Sequence, residues 1–112
     1  LDTAVCDLQT KRFNQEAANL GNDVAILTIS MDLPFAQARW CGATGSDQIQ
    51  TLSDFKEAVF GNAYGVLVKG LRLLTRAIFV VDADGVLQYK QIVPEITNEP
   101  NYDEALEAVK KL

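Results

Sequence analysis

The residues best suited to chemistry lie at the start of the chain, in Leu1-Asp2-Thr3-Ala4-Val5-Cys6. If Thr3 is a helix N-cap, Cys6 falls at the third helical position. Its sulfur then sits in the first turn, beside backbone N–H groups without helical partners and at the positive end of the helix dipole. That setting favours a thiolate over a thiol. The Thr3 hydroxyl, one turn back, is placed to donate to the sulfur or to an oxygen bound there. An electrophile with an O–O bond needs both, a thiolate to attack and donors to stabilise charge on the leaving oxygen. Asp7, in the same turn, works against a thiolate, so a nearby guanidinium would help. The plain alternative is that Cys6 is a small buried hydrophobe on a helix face.

Cys41 is the other cysteine, and the sequence contains no histidine. Without histidine there is no Ser-His-Asp or Cys-His arrangement and no ordinary zinc site. Two cysteines are too few for a disulfide-dense scaffold, and they cannot complete a tetrahedral metal site alone. They are either inert core thiols or a redox pair.

The elements that must position these residues follow from periodicity. A helix opens at Asp2 or Thr3, with Cys6, Phe13, Ala17 and Leu20 on one face, and Gly21-Asn22 as its stop. Val24–Ser30 is apolar and β-branched, and predicts a strand buried on both faces. A second helix starts with Pro34 near its first position and runs to about Cys41, with Gly42 ending it. Ile49–Leu52 predicts a short strand. A third helix, capped by Ser53 or Asp54, runs toward Tyr64-Gly65. Residues 65–74 read as a loop or irregular strand. Arg76–Val81 and Val86–Val93 are strands joined by a hairpin turn at Asp82-Ala83-Asp84-Gly85. Asn101 or Pro100 opens the last helix, with Tyr102, Leu106, Val109 and Leu112 as its stripe.

The resulting order, α-β-α-β-α-β-β-α, predicts an α/β fold with a central mixed sheet flanked by helices. The 112 residues read as a single domain. With 48% hydrophobic residues there is material for a core, so disorder is not expected. Fifteen acidic residues against ten basic ones give a net charge of −5, which argues against a nucleic-acid or anionic-membrane surface. No apolar run is long enough to span a bilayer.

Thr3-x-x-Cys6 resembles the core of the peroxiredoxin motif Pro-x-x-x-Thr-x-x-Cys. The segment Met31-Asp32-Leu33-Pro34-Phe35-Ala36-Gln37-Ala38-Arg39-Trp40-Cys41 is similar to the stretch around the resolving cysteine of bacterial thiol peroxidases, the atypical two-cysteine peroxiredoxins. Lys69-Gly70-Leu71, Arg76-Ala77 before a strand, and Glu95-Ile96-Thr97-Asn98-Glu99-Pro100-Asn101-Tyr102 match the same family. The resemblance covers essentially the whole chain.

This resemblance implies a thioredoxin-like fold and a thiol-dependent peroxidase that uses no metal, haem or flavin. Its substrates would be alkyl or lipid hydroperoxides and hydrogen peroxide. Cys6 matches the peroxidatic cysteine, which becomes a sulfenic acid. Cys41 matches the resolving cysteine, which condenses with it to an intramolecular disulfide. Thr3 matches the motif threonine that hydrogen-bonds thiolate and peroxide, and Arg76 the arginine that holds the thiolate. A thioredoxin-type reductant would recycle the disulfide. Leu33, Phe35, Trp40, Tyr64 and Leu71 are candidates for an apolar collar around the substrate; core packing or a dimer interface would suit them equally.

A permanent Cys6–Cys41 bridge would stabilise the chain by roughly 3–4 kcal/mol, but it fits poorly with the reducing bacterial cytoplasm that the family implies. A reversible bridge fits a redox cycle, with both helix ends unwinding around Thr3–Asp7 and Arg39–Gly42. An isologous homodimer is also implied, through a helix face carrying Trp40 or Phe60. Arg39 and Arg72 are expected at the surface. Glu95, Glu99, Asp103 and Glu104 are expected to form a solvated helix start. A redox-sensing or binding module with the same switch but no turnover is the alternative. The motif proline and the strand that precedes it would fall before Leu1. The chain therefore reads as the C-terminal two-thirds of such a domain, lacking its N-terminal strands, and Val24–Ile29 or Arg76–Val81 would show an unpaired edge.

Overall fold

A computed structural model describes residues 1–21, 23–95 and 97–112. Asn22 of the expected helix stop and Ile96 of the segment before the last helix lie outside the described residues. The chain divides into two compact units, Leu1–Leu74 and Thr75–Leu112.

The first unit opens with α1, Ala4–Leu20, whose N-cap is Thr3. Next come β1 (Leu27–Ser30), α2 (Pro34–Thr44) and β2 (Gln50–Ser53). β1 and β2 pair in parallel, from Leu27 opposite Gln50 to Ser30 opposite Ser53. Parallel neighbours need a crossover, and α2 supplies it.

Gln37 fastens that crossover to the ladder. It is only 2% exposed. Its Nε2 donates to the Ser30 hydroxyl and to the Leu52 carbonyl, both at 2.9 Å. One amide therefore binds both strands, which is how a buried polar group offsets its desolvation.

α3 is shorter than the sequence predicts. It covers Val59–Ala63 only, and its N-cap, Ala58, has φ of 53°. A residue in the left-handed region cannot continue a helix, so residues 54–58 form a separate turn. The Asp54 carboxylate still caps the helix, reaching forward to the N–H groups of Phe60 at 3.0 Å and Gly61 at 2.8 Å. Within the segment predicted as a loop or irregular strand, β3 (Leu67–Val68) and β4 (Leu73–Leu74) form a small antiparallel hairpin.

The second unit holds β5 (Ala77–Val81), β6 (Leu87–Ile92) and α4 (Tyr102–Lys110). The β5–β6 turn is built as predicted. Asp82 Oδ1 accepts the N–H groups of Asp84 and Val86 at 2.9 Å, and Gly85 takes φ of 81°. The predicted cap of α4 also forms, with Asn101 Oδ1 accepting the Glu104 N–H at 3.0 Å. Val80, Val93, Ala105 and Leu106 are the buried apolar residues of this unit.

Three expectations need correction. The strand predicted over 24–30 pairs only from Leu27, and none of its four residues is buried; Leu27 is 51% exposed. Among the described residues β1 has one neighbouring strand, so burial on both faces does not follow from its apolar run. The mixed pairing is present, but among the described residues it falls in three two-stranded ladders rather than one central sheet. Lastly, α2 does not end at Gly42. It runs on to Thr44 and stops at Gly45, whose φ of 67° is the left-handed cap.

Replacing Gln37 by alanine is expected to destabilise the protein by roughly 2–3 kcal/mol, through two lost hydrogen bonds and a small cavity. Chemical denaturation of wild type and Gln37→Ala, compared at equal slope, measures this.

Candidate active site

Thr3, Cys6 and Cys41 all belong to the first unit, while Arg76 belongs to the second. With Thr3 as N-cap, Cys6 occupies the predicted third position of α1. The first intrahelical bond runs from the Asp7 N–H to the Thr3 carbonyl at 2.8 Å. The sulfur therefore belongs to the opening turn, where backbone N–H groups point out of the helix start. The Thr3 hydroxyl makes no capping bond, and the residue is exposed. One turn further on, the buried Thr10 donates its hydroxyl to the Cys6 carbonyl at 2.8 Å.

Cys41 lies inside α2, with Gly42 after it. Its carbonyl accepts from the Gly45 cap N–H and from the Ser46 N–H, the latter at 3.0 Å. Thr44 reinforces this turn. Its hydroxyl donates to the Trp40 carbonyl at 2.9 Å and meets the Ser46 hydroxyl at 2.8 Å. Both cysteines are half-buried thiols.

The structure adds a contact that sequence reasoning missed. Trp40 Nε1 donates to Asp7 Oδ1 at 2.9 Å. Asp7 directly follows Cys6 and Trp40 directly precedes Cys41, so this bond joins the two cysteine-bearing turns. Asp7 also pairs with Lys11 Nζ at 2.7 Å, one helical turn along α1. The i,i+4 spacing of Asp7 and Lys11 was the only sequence signal of this cluster. The Lys11 ammonium, helped by the Trp40 N–H, holds the Asp7 carboxyl below the ordinary value of 3.8. Asp7 is thus a satisfied anion rather than an open charge beside the sulfur.

Arg76 precedes β5 and is 7% exposed, so it is not a strand-end arginine reaching solvent. Arg39 and Arg72 are exposed, as expected for surface roles. Among the collar candidates, Phe35 is 80% exposed, and Leu33, Tyr64 and Leu71 are also exposed. Trp40 stands apart, buried and bonded through its indole. A cleft of about 440 Å³ opens between the start of α1 and α2, but charged groups including Asp7, Lys11 and Arg39 line it, and neither cysteine does. Among the described residues, no group of three or more cysteine or carboxylate side chains is gathered to hold a metal. No helix among them is long and apolar enough to cross a membrane.

Comparison with known proteins places this arrangement. The Redoxin family model matches residues 1–106. The chain belongs to the Redoxin family.

Within that family its relatives are thiol peroxidases. It is 58% identical to the thiol peroxidase of Bacillus subtilis over 112 residues, which is the whole chain and 66% of that protein. It is 52% identical to the thiol peroxidase of Staphylococcus aureus, again over the whole chain and 67% of that protein. The chain thus spans about two thirds of the length of these curated relatives. Among solved structures, a peroxiredoxin-like protein from Aquifex aeolicus superposes with a TM-score of 0.92 at 44% identity, covering 99% of the chain and 66% of that one. Mycobacterium tuberculosis AhpC gives 0.75 at 26% identity, covering 97% of the chain and 62% of that one. The fold is the thioredoxin-like α/β fold of this family.

Two outcomes follow from the site's local chemistry. A carboxylate held below its ordinary value stabilises the folded state above that value and loses its effect as pH falls through the folded value. Asp7→Asn should therefore cost about 1 kcal/mol at neutral pH, with the gap to wild type closing below pH 3.8 in pH-dependent melts. Gly42 sits in a helix interior, and a methyl group at its Cα would meet no neighbouring side chain within 4 Å. Gly42→Ala should raise stability by roughly 0.5–1 kcal/mol, read by thermal denaturation.

Proposed function

We propose that this protein is a thiol-dependent peroxidase, and that residues 1–112 act as part of a single peroxiredoxin domain. The observation that carries the reading is Cys6 in the opening turn of α1, behind an N-cap threonine whose hydroxyl is not spent on capping. The thiolate of Cys6 attacks the terminal oxygen of a hydroperoxide. The O–O bond breaks, Cys6 becomes a sulfenic acid, and the alkoxide leaves as an alcohol after taking a proton. Thr3 hydrogen-bonds the thiolate and the peroxide, and the guanidinium of Arg76 holds the thiolate, a role drawn from the family motif.

Cys41 then attacks the Cys6 sulfur. The S–O bond breaks, water leaves and the disulfide forms. A dithiol reductant of the thioredoxin type returns both thiols by exchange. Because both cysteines sit within helical turns, this step includes local unwinding around Thr3–Asp7 and around Arg39–Gly42. Leu33, Phe35 and Leu71 present apolar surface suited to alkyl or lipid hydroperoxides, with hydrogen peroxide as a smaller substrate. The proposal includes a bacterial cytoplasmic setting and an isologous homodimer. Relatives named as peroxidases favour turnover over a sensing role.

Peptide mapping tests the roles. Reduced protein receives one equivalent of an alkyl hydroperoxide and is quenched within seconds by an alkylating agent. A Cys6–Cys41 bridge is expected in wild type, a sulfenic acid at Cys6 in Cys41→Ser, and neither product in Cys6→Ser. Two alkylated cysteines in wild type would sink the proposal.

A further inference from the structure

The Asp7–Trp40 hydrogen bond lies beside both cysteines and has no role in the chemistry described so far. We propose that this pair is a strut that must release before Cys6 and Cys41 can be joined, and that its release sets the rate of the bridging step. The inference rests on the peroxidase reading above and assigns Asp7 and Trp40 as positioning residues within it.

The argument begins with lengths. A disulfide draws its two Cβ atoms to about 3.8 Å. Neighbouring residues along a chain have Cα atoms only about 3.8 Å apart. Joining Cys6 to Cys41 therefore ties the positions of Asp7 and Trp40 together as well. Those two residues are separated by a carboxylate, a hydrogen bond of 2.9 Å and the length of an indole reaching out through Nε1. While both turns stay helical, that spacer rather than a disulfide sets how far apart they stand.

Direction decides whether contact and bridge are compatible. Successive side chains on a helix point about 100° apart. While Asp7 on α1 and Trp40 on α2 face each other, Cys6 and Cys41 are each turned about a quarter-turn from that line. The strut also rests on firm supports. Trp40 is 7% exposed, Asp7 is braced by Lys11 at 2.7 Å, and the Trp40 carbonyl is held by the Thr44 hydroxyl. Bridging has to undo this set of contacts, because the attack of Cys41 on the Cys6 sulfenic acid requires both turns to re-orient. The covalent change itself is the one already described: the S–S bond forms, the S–O bond breaks, and the hydroxide leaves as water with the proton of the Cys41 thiol.

The test follows two phases separately in the whole protein after one equivalent of alkyl hydroperoxide. Quench and mass spectrometry read sulfenic acid at Cys6, and then the bridge. Trp40→Phe keeps most of the apolar body and removes the N–H, while Asp7→Ala removes the acceptor. Both are expected to bridge about tenfold faster than wild type once the sulfenic acid has formed. Asp7→Asn retains an acceptor oxygen and should bridge at a rate between wild type and Asp7→Ala. The double variant should be no faster than either single one, because the two act as one contact.

A measurement without substitution guards against variants that fold poorly. Trp40 is the one tryptophan in the sequence, and its emission should shift to the red in step with the bridging phase in wild type. Bridging that is unchanged or slower in the variants, additive acceleration in the double variant, or emission that stays fixed while the bridge forms each overturns the strut. If wild type forms no sulfenic acid at Cys6, the peroxidase reading fails first and the strut falls with it. A sulfenic acid that forms normally and bridges at one rate in every variant overturns the strut alone.

Discussion

One indole N–H and one carboxylate decide how the two cysteine-bearing turns face each other. The Asp7–Trp40 bond crosses from α1 to α2. The strength of such a contact comes from its setting. The indole is buried, the acceptor is ionised, and the carboxylate's second oxygen is paired with Lys11. A hydrogen bond to a charged group in a partly desolvated place is stronger than a neutral one at the surface. Asp7 also resolves a conflict visible in its position. An anion one residue from a thiolate would oppose it, but an anion engaged by an ammonium and an indole N–H opposes it far less.

α2 is pinned at three levels. Gln37 holds its middle to both strands of the parallel ladder. Trp40 holds its next turn to α1. Gly45, Thr44 and Ser46 then close its end around the Cys41 carbonyl. The lower part, up to Gln37, is fastened to the ladder by buried hydrogen bonds. The upper part, from Trp40 on, is fastened by contacts that can be lost without exposing the Gln37 amide. Gly42 makes the upper part easier to unwind, since glycine weakens a helix interior. A rigid half and a releasable half in one helix suit the resolving role proposed for Cys41.

Much of this was legible from local pattern. Thr3, against Asp2, takes the N-cap place without a side-chain bond, Asn101, against Pro100, caps through its amide oxygen, and Gly85 read as a turn because the hairpin needs a positive φ there. Pro34 opened α2 for the same kind of reason. Arg76 takes its role only through the family resemblance, since its place at a strand end suits solvent equally, and it is buried. The failures share a cause. Gly42 looked like a stop, but a glycine ends a helix only where the chain turns left-handed, and that happens at Gly45. Ala58 carries no sequence sign of its positive φ, which the Asp54 cap and complete burial of Ala58 impose. The apolar run around β1 predicted two-sided burial, although burial depends on how many neighbours a strand acquires. The Asp7–Trp40 bond joins residues far apart in sequence, and no periodicity reports it.

Thr10 gives α1 one further property. In the proposed cycle α1 loses its opening turn and keeps the remainder, which needs a place where melting halts. Fraying spreads from a terminus residue by residue until it meets a group anchored independently of the turn before it. The Thr10 side chain is buried, and its hydroxyl grips the carbonyl of Cys6 itself. Unravelling that starts at Thr3 therefore has to break the bond to the Cys6 carbonyl and then meets the buried Thr10 side chain. Beyond it, Lys11 to Leu20 keep their helical ladder, so the turn can reopen and rewind on a template that never dissolves.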